Sequence, residues 1–547
     1  MDSNTPPPPA WWRDAVIYQV YIRSFADGNG DGTGDLAGLR ARLGHLAGLG
    51  VDALWITPWY VSPQVDAGYD VADYRAIDPV FGTLDEADAF LAEAHAHGLR
   101  VLVDLVPNHT SDQHPWFREA LAAGPGSAAR GRYHFRPGRG ADGELPPNNW
   151  PSVFGGPAWT RVADGEWYLH LFAAAQPDLD WDVPEVREEF ASVLRFWLDR
   201  GVDGFRIDVA HGLTKDPAYP DIEESATGLL GAAADEHHPY FDRDATLEIY
   251  REWRRIADAY PGERTFVAEA WVSSPDRLAR YLAPGRLHTA FNFGLLDCPW
   301  EAPRLREVVE QTLRVLAPVD APPTWVLSNH DVIRHVTRYG RAETSLDDAK
   351  RLYGTPSDPE LGTRRARAAA LLTLGLPGGA YIYQGEELGL EEVEDLPAEV
   401  LQDPNRFWSG GCGPVRDGCR VPLPWSGETA PFGFSPDGAA GEPWLPQPAA
   451  WKDRSAAAQL ADPASVLTLY RSALAVRRGC EDLGEGDLAW LPAAEEVLAF
   501  RRGRRTAVVV NTGADPVPLP EHTEVLLASG PLDGPLLPGD TAVWLSL

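Results

Sequence analysis

The chain has 547 residues, of which 44% are hydrophobic, and its 48 basic and 80 acidic side chains give a formal net charge of −32. This profile is typical of a soluble globular protein with an acidic surface. It excludes extended nucleic-acid binding, because phosphate recognition needs a basic patch. The length exceeds that of an average domain, so we expect one large domain with attachments.

The N-terminal segment MDSNTPPPPAWWRD has neither a cationic start nor an apolar stretch, and no run of eighteen apolar residues occurs anywhere. This pattern predicts neither export nor membrane insertion. Four cysteines, Cys298, Cys412, Cys419 and Cys480, are too few to stabilise a chain of this size, which indicates a reducing cytoplasm. Cys412 and Cys419 could pair, or they could be two unrelated thiols in one loop.

Short β-branched segments alternate with amphipathic ones along most of the chain. Eight segments are interpreted as strands, in the order AVIYQVYI, ALWIT, RVLVDLV, FRIDV, TFVAEAW, TAFNF, TWVLS and AYIYQG. Helical patterns such as LAGLRARLGHLAGLG and LDEADAFLAEAHAHG lie between them, each ending on a glycine that suits a C-terminal cap. Eight such units predict an α/β fold, a parallel (β/α)8 TIM barrel.

Two segments depart from this alternation. Residues 109–180 are rich in Gly, Pro and Trp without a long helical pattern, which predicts an inserted irregular domain after the third strand. Beyond residue 480 the alternating runs EVLAFRR, TAVVVNT, EVLLAS and TAVWLSL predict a C-terminal antiparallel β-sandwich domain over 481–547. The barrel is therefore predicted over 1–108 and 181–480.

Polar residues follow several of the predicted strands. The segment GFRIDVAH places Arg206 and Asp208 two residues apart, on the same face of the fourth strand. The third, fifth and seventh strands end in DLVPNHT, VAEAW and SNHD, which contribute Asp104, Asn108, His109, Glu269, His330 and Asp331. Because the active site of this fold lies at the carboxyl ends of the strands, we expect these side chains to meet.

Carboxylates and histidines without a glycine-rich phosphate loop suit acid–base cleavage of a neutral polar substrate, and glycoside hydrolysis needs such a set. Arg206 can keep a buried Asp208 ionised as a nucleophile, whereas a carboxyl without a nearby cation can stay protonated as the acid. Asp104 has a second interpretation, as a structural partner of Arg206. A single polar residue at a strand end is usually a cap or a satisfied polar group, so the prediction depends on the whole set.

The segments DLVPNHT, GFRIDVAH, VAEAW and SNHD, in this order, resemble the four hallmark regions of the α-amylase family of glycoside hydrolases. The resemblance extends over nearly the whole chain. It implies that Asp208 is the nucleophile, that Glu269 is the general acid/base and that Asp331 holds a hydroxyl of the distorted sugar. It also places three further residues around that sugar: His109, Arg206 and His330.

Further segments resemble the oligosaccharide α-glucosidases of this family. In DAGYDVADY, the resemblance implies that Tyr69 packs on the first sugar and that Asp70 binds its far hydroxyls. RDGCRVPLPW resembles the segment that sends an arginine to that aspartate, and Arg420 fits best; the alternative is an ordinary surface salt bridge. Such a pair would close the pocket behind one glucose. QPDLDWDVPEV points to the same glucosidases, although Asp180 stands where they commonly have asparagine.

The segment DGNGDGTGD carries oxygen-bearing side chains two or four residues apart, as in the first half of an EF-hand loop: Asp27, Asn29, Asp31 and Asp35. Gly38 stands where an EF-hand has its glutamate, so the loop is not an EF-hand. It resembles the calcium loop of oligosaccharide α-glucosidases, in which Thr33 would contribute a backbone carbonyl. We expect a structural Ca²⁺ here and no organic cofactor; the alternative is a glycine-rich acidic turn without metal.

These features predict a retaining exo-α-glucosidase that acts on short α-1,4-linked malto-oligosaccharides, a small oligosaccharide being its partner. The alternatives are an α-glucosyl-transferring enzyme, an oligo-1,6-glucosidase, and a non-catalytic barrel like the amino-acid transporter heavy chains. The complete catalytic set and the absence of a membrane helix argue against the last. Val209 is a residue that in the family often accompanies α-1,6 cleavage, whereas the following AHGL and Asp180 resemble glucosidases that take maltose.

Overall fold

A computed structural model describes residues 10–223, 238–405, 414–484 and 486–547. Eight parallel strands form one sheet in the order β6-β5-β4-β3-β2-β1-β8-β7. They are β1 (Val16–Val20), β2 (Ala53–Ile56), β3 (Arg100–Leu105), β4 (Gly204–Ile207), β5 (Thr265–Ala268), β6 (Thr289–Ala290), β7 (Thr324–Val326) and β8 (Gly379–Tyr383). At the seam between β6 and β7, the amide of Asn292 donates to the carbonyl of Thr324 at 2.9 Å. The predicted (β/α)8 barrel is confirmed.

The barrel strands are buried on both faces, which is why they read as apolar runs rather than as alternating patterns. Side chains from six strands form a cluster inside the barrel: Ile17, Trp55, Leu102, Val267, Val326 and Tyr381. Glycine is required at position 204, two residues before Arg206, for a steric reason. A Cβ on Gly204 would lie 2.3 Å from the carbonyl oxygen of Thr265, so only glycine lets β4 approach β5 this closely.

Helices surround the barrel and connect its strands. Their bounds are Leu36–Ala41, Leu43–Leu49, Leu84–Ala96, Pro115–Ala123, Ala128–Gly131, Pro184–Asp199, Asp244–Asp258, Pro275–Tyr281, Phe293–Asp297, Ala302–Leu316, His335–Tyr339, Leu346–Arg351, Pro359–Gly375, Ala456–Leu460 and Val466–Gly479. The first predicted helix is broken at Arg42, whose guanidinium lies over the ring of Trp425 at 4.6 Å. Gly50 ends its second half in a left-handed conformation, as the sequence predicts.

The sixth strand is shorter than the segment TAFNF predicts. It ends at Ala290, and the side-chain oxygen of Asn292 accepts the amide of Leu295 at 2.9 Å. Asn292 is therefore an N-cap, and it starts the short helix Phe293–Asp297 where the sequence pattern predicts a continuing strand.

The segment 109–180 contains a three-stranded antiparallel sheet, in the order Phe135–Pro137, Glu166–Leu169 and Trp159–Arg161. Its two ends are joined beyond β3, because the side-chain nitrogen of Asn108 donates to Asp178 at 3.1 Å. The buried amine of Lys215 binds the same two residues, at 2.8 Å from Asn108 and 2.9 Å from Asp178. These contacts fix the insertion against the carboxyl end of the barrel.

The C-terminal unit is an antiparallel sheet, in the order Leu488–Trp490, Val497–Arg502, Thr506–Asn511, Thr541–Ser546 and Glu524–Ala528, with a second pair formed by Val517–Pro518 and Leu536–Leu537. Each of the four predicted runs contains one of these strands. The sheet packs on the helix Pro359–Gly375, where the indole of Trp544 donates to the carbonyl of Leu371 at 2.9 Å. Arg502 donates to the carbonyl of Gly375 at 2.6 Å.

Within the described residues, three cysteines are free thiols: Cys298, Cys419 and Cys480. Cys412, which could pair with Cys419, lies outside the described residues, so the pairing of these two is not tested. Across the described part of the chain, no helix combines the length and the hydrophobicity needed to cross a bilayer.

Candidate active site

Arg206 lies at the centre of the polar residues that the barrel strands bring together. Its Nη1 donates to Asp208 Oδ1 at 2.5 Å and to Asp104 Oδ1 at 2.8 Å, and its Nη2 lies 2.9 Å from Glu269 Oε2. The guanidinium is buried and lies 5.0 Å from the ring centre of Trp55. One cation thus holds three carboxylates from β3, β4 and β5 in a fixed arrangement.

A second set of bonds orients His330. The side-chain nitrogen of Gln19 on β1 lies 2.6 Å from Nδ1 of His330, and the hydroxyl of Tyr69 lies 2.7 Å from Nε2. Since Gln19 can donate an amide proton to Nδ1, we assign the imidazole proton to Nε2. Tyr69 in turn donates to Asp104 Oδ2 at 2.9 Å, and its ring stacks on His330 at 5.3 Å. Asp104 therefore contacts Arg206 through one carboxylate oxygen and Tyr69 through the other.

Glu269 accepts two hydrogen bonds and forms one ion pair. Its Oε2 receives the backbone amide of Val209 at 2.9 Å as well as Arg206, and its Oε1 receives the indole nitrogen of Trp271 at 3.2 Å. Val209 has a φ of 44°, a left-handed conformation that β-branched residues rarely adopt. Its side chain packs in an apolar cluster with Trp150 and Tyr240.

Asp331 is held by two arginines of the segment that follows β8. Its Oδ1 accepts Nη2 of Arg420 at 2.8 Å and Nη1 of Arg416 at 3.2 Å. Arg420 also donates to the carbonyl of His330 at 2.8 Å. Burial alone would raise the pKa of Asp331, but His330, Arg416 and Arg420 lower it below its usual range. Asp331 is therefore ionised.

The predicted pairing of Asp70 with Arg420 is wrong. Asp70 is fully buried and accepts the hydroxyl of Ser62 and the backbone amides of Val65 and Asp66, at 2.9, 2.9 and 3.0 Å. Burial raises its pKa to about 6. Its carboxylate is turned into the loop after β2, so it shapes that loop rather than the pocket wall.

The ion pair that spans the loops after β2 and β8 joins Asp66 to Arg416, with Asp66 Oδ1 2.7 Å from Nη2. Arg416 also binds Asp403 at 2.8 Å, and the side-chain nitrogen of Gln176 donates to Asp66 Oδ2 at 3.2 Å. Asp66 and Arg416 each precede the predicted residue by four positions in the same two segments. Neither residue is predicted from the sequence, although both lie in the two segments that carry the prediction.

His109 lies beside this pair. Its Nε2 is 3.1 Å from the carbonyl of Tyr69, and its Nδ1 is 3.1 Å from the side-chain nitrogen of Asn108. Burial lowers its pKa, so the imidazole is neutral at pH 7. Its ring lies 5.1 Å from that of Phe172, which comes from the inserted segment. His109 therefore lies between the pocket and the insertion.

The group around Arg206 has one positive charge for three carboxylates. Burial raises the pKa of Asp208 well above its usual value, Glu269 and Asp104 raise it further, and Arg206 opposes them. Burial likewise raises the pKa of Asp104 to about 6, against the effect of Arg206. Arg206 thus lowers the pKa of both carboxyls without fully offsetting the effect of burial.

The predicted calcium loop has its oxygens engaged with the backbone. Asp27 accepts the amides of Gly30 and Gly32, and Asp35 accepts those of Gly28, Asn29 and Gly38. In the described residues, no group of three or more His, Cys, Asp or Glu side chains could hold a metal. An ion would therefore also need the amide oxygen of Asn29 and the carbonyl of Thr33. Such oxygen donors suit a hard cation, and calcium binding stays a prediction.

The chain resembles known proteins over nearly its whole length. A family model described as alpha amylase, catalytic domain, matches residues 19–486, a range that contains every site residue named above. A probable alpha-glucosidase of Rhizobium meliloti (strain 1021) is 40% identical over 514 residues, which span 90% of this chain and 87% of that protein. An oligo-1,6-glucosidase of Parageobacillus thermoglucosidasius is 35% identical over 500 residues, or 86% and 84% of the two chains. A solved alpha-glucosyl transfer enzyme is similar in structure, with a TM-score of 0.87 at 37% identity over 98% of this chain and 100% of that one.

Proposed function

Because the chain belongs to the alpha-amylase catalytic-domain family and is a glycoside hydrolase, we propose that it is a retaining, exo-acting α-glucosidase. Its substrates would be short α-1,4-linked malto-oligosaccharides, from which it releases glucose at the non-reducing end. The observation that carries this proposal is the binding of Asp208 and Glu269 by the single guanidinium of Arg206. That contact supports the proposal because a two-step displacement needs a nucleophile and a proton donor close together, the roles proposed for Asp208 and Glu269.

In the first step, a carboxylate oxygen of Asp208 forms a bond to the anomeric carbon of the glucose unit. The bond from that carbon to the glycosidic oxygen breaks, and the oxygen takes its proton from Glu269. In the second step, Glu269 accepts a proton from water, whose oxygen displaces Asp208. Two inversions retain the α configuration.

The ionised Asp331 supports this chemistry in a different way. Arg416 and Arg420 fix its carboxylate beside His330 before substrate arrives. A carboxylate that is already held in place can accept hydrogen bonds from two sugar hydroxyls without a free-energy cost for reorienting it. Such bonds strengthen as the sugar ring distorts.

The ion pair of Asp66 with Arg416 supports exo action. It joins the loops after β2 and β8, and Arg416 simultaneously contacts Asp331. We infer that this pair forms the end wall of a pocket for one glucose and binds the hydroxyls farthest from the bond that is cut. A chain that continued beyond that glucose would have to break the pair.

Product stereochemistry tests the proposal directly. Proton NMR of the glucose first released from a 4-nitrophenyl α-glucoside, which has no second glucose unit, should show the α form, which then equilibrates with the β form. An initial β-glucose signal would exclude the two-step mechanism and the role given to Asp208.

Linkage preference is a separate part of the proposal. The similar proteins carry names for both α-glucosidase and oligo-1,6-glucosidase activity, and one is named as an α-glucosyl transfer enzyme. We expect kcat/KM for maltose to exceed that for isomaltose. A preference for isomaltose beyond about tenfold, or about 1.4 kcal/mol, would contradict the α-1,4 assignment.

The loop of residues 27–35 would hold a structural Ca²⁺ through Asp27, Asn29, Asp31, Thr33 and Asp35. It contains none of the groups that the two-step reaction uses.

A further inference from the structure

Glu269 presents its two carboxylate oxygens to different surroundings. Oε2 is bound by the charged Nη2 of Arg206 and by the backbone amide of Val209, both at 2.9 Å. Among the described residues, the hydrogen bond to Oε1 comes from the indole of Trp271, at 3.2 Å. The two oxygens therefore differ in how strongly they are held.

The donors on Oε2 are fixed by the rest of the site. Arg206 is already bound to Asp104 and Asp208, so it cannot turn away without losing two further charged contacts. The amide of Val209 is aimed by a left-handed backbone with φ 44°. A strained conformation of this kind persists only where its surroundings enforce it. Two donors on Oε2 leave it little capacity to carry a proton.

Trp271 is held by an aromatic contact outside the group of residues around Arg206. Its ring stacks on Phe293 with a centroid distance of 3.9 Å and an angle of 9° between the planes. Phe293 is the first residue of the helix Phe293–Asp297, so β6 supplies the support for a side chain that follows β5. This stack orients the indole N–H toward Oε1 of Glu269.

We propose that Trp271 is a positioning residue that assigns the transferred proton to Oε1 of Glu269, an inference that rests on the proposed function. When Oε1 releases its proton to the glycosidic oxygen, the indole N–H remains on the newly charged oxygen. Hydrogen bonds to ionised acceptors are stronger than those to neutral ones. Trp271 thus stabilises the carboxylate that forms in the transition state and keeps it in place to accept a proton from water.

Trp271→Phe tests this role, because phenylalanine can still stack on Phe293 but has no N–H. The kcat/KM for maltose should fall roughly tenfold, mainly through kcat. A 4-nitrophenyl α-glucoside, whose leaving group needs less acid assistance, should lose less in the first step. Because the lost bond favours the ionised form of Glu269, the basic limb of the pH profile should move to higher pH, by roughly half a unit.

Two variants control for a purely structural role. Trp271→His keeps a ring N–H and should restore part of the rate and the original basic limb. Phe293→Leu removes the stacking partner but keeps the indole N–H, so it should move the basic limb less than Trp271→Phe does. An unmoved limb in Trp271→Phe, an equal loss for both substrates, or the same shift in Phe293→Leu would overturn the inference. Failure of the proposed function would look different, since Glu269→Gln would then keep its activity on maltose whatever the Trp271 variants do.

Discussion

Two arginines of this protein each bind three carboxylates, with opposite consequences for those carboxylates. Arg206 binds Asp104, Asp208 and Glu269. Burial raises the pKa values of Asp208 and Asp104 in spite of this arginine. Arg416 binds Asp66, Asp331 and Asp403, and Arg420 lies nearby. There the arginines outweigh burial, so the pKa of Asp331 lies below its usual range and that of Asp403 falls to about 2.

Replacement of the two proposed reacting carboxyls should have different effects. Asp208→Asn keeps the shape of the site but removes the proposed nucleophile, so turnover should fall by about 10⁴ or more with an unchanged Tm. Glu269→Gln should retain slow reaction with aryl α-glucosides, because a weakly basic leaving group needs little acid assistance. Steady-state rates with maltose and a 4-nitrophenyl α-glucoside check both. Substantial maltose turnover by Asp208→Asn would assign the nucleophile elsewhere.

The aspartates four residues apart in the DAGYD segment should also behave differently. Asp66→Ala removes a partner of Arg416 at the proposed end wall, so kcat/KM for maltose should fall by about 100-fold, close to 2.7 kcal/mol, with little change in Tm. Asp70→Ala leaves the hydroxyl of Ser62 and the amides of Val65 and Asp66 without an acceptor, so it should lower Tm. The reverse pattern, measured by kinetics and thermal unfolding, would restore the original assignment of Asp70.

At the scale of elements, the sequence predicts the features that a repeating hydrophobic pattern can indicate, above all the barrel strands. Parallel strands buried on both faces give apolar runs, and these locate all eight barrel strands. The end of β6 was not predicted correctly, because the side chain of Asn292 caps a helix within a segment whose pattern is otherwise typical of a strand. Asp66 and Arg416 were not predicted for a related reason. Their position in the sequence, shortly after a barrel strand, indicates that the segment lies at the carboxyl end of the barrel. The loop conformation, however, decides which of its side chains face the site. The hydrogen bond of Trp271 likewise depends on the loop after β5.

The loop of residues 27–35 gives a prediction at this scale. If its oxygens bind Ca²⁺, chelation should lower the Tm, and added Ca²⁺ should restore it because the ion binds only the folded loop. Catalytic rates below the melting temperature should stay unchanged. Elemental analysis should confirm that the chelated protein is metal-free. Identical melting curves with and without chelator would then show that the loop needs no metal, because hydrogen bonds from backbone amides are sufficient for its carboxylates.

At the scale of the whole molecule, the buried carboxyls of Glu386 and Glu387 set a pH dependence of stability. Burial raises the pKa of Glu386 to about 8 and that of Glu387 to about 7, from an ordinary value of 4.5. The folded state therefore binds these protons more tightly than the unfolded state does. Their stabilising contribution is complete below about pH 4.5 and is lost as pH rises through 7 to 8.

The Tm should accordingly fall between pH 6 and pH 9, and repulsion within a chain of net charge −32 acts in the same direction. Glu386→Gln, which keeps the shape but cannot ionise, should flatten that decline. Thermal unfolding across this range checks both statements. A Tm that is constant or that rises toward pH 9 would contradict them.

The end wall proposed for Asp66 and Arg416 predicts substrate size. Maltose and maltotriose should be cleaved at least tenfold faster than soluble starch on a kcat/KM basis, with glucose as the only small product. Viscosity measured alongside glucose release separates this from endo action. A rapid loss of viscosity with mixed oligosaccharides would mean that the wall of Asp66 and Arg416 does not close the pocket.

A pocket closed at its far end, as proposed for the pair of Asp66 and Arg416, would also fix the order of events in each cycle. The aglycone would lie nearer the mouth and depart first, and glucose would have to leave by the path through which it entered. Glucose would then be the last product to dissociate from an enzyme form that is ready for a new substrate. It should inhibit competitively, whereas an aglycone that binds after the first step should divert glucosyl groups away from water.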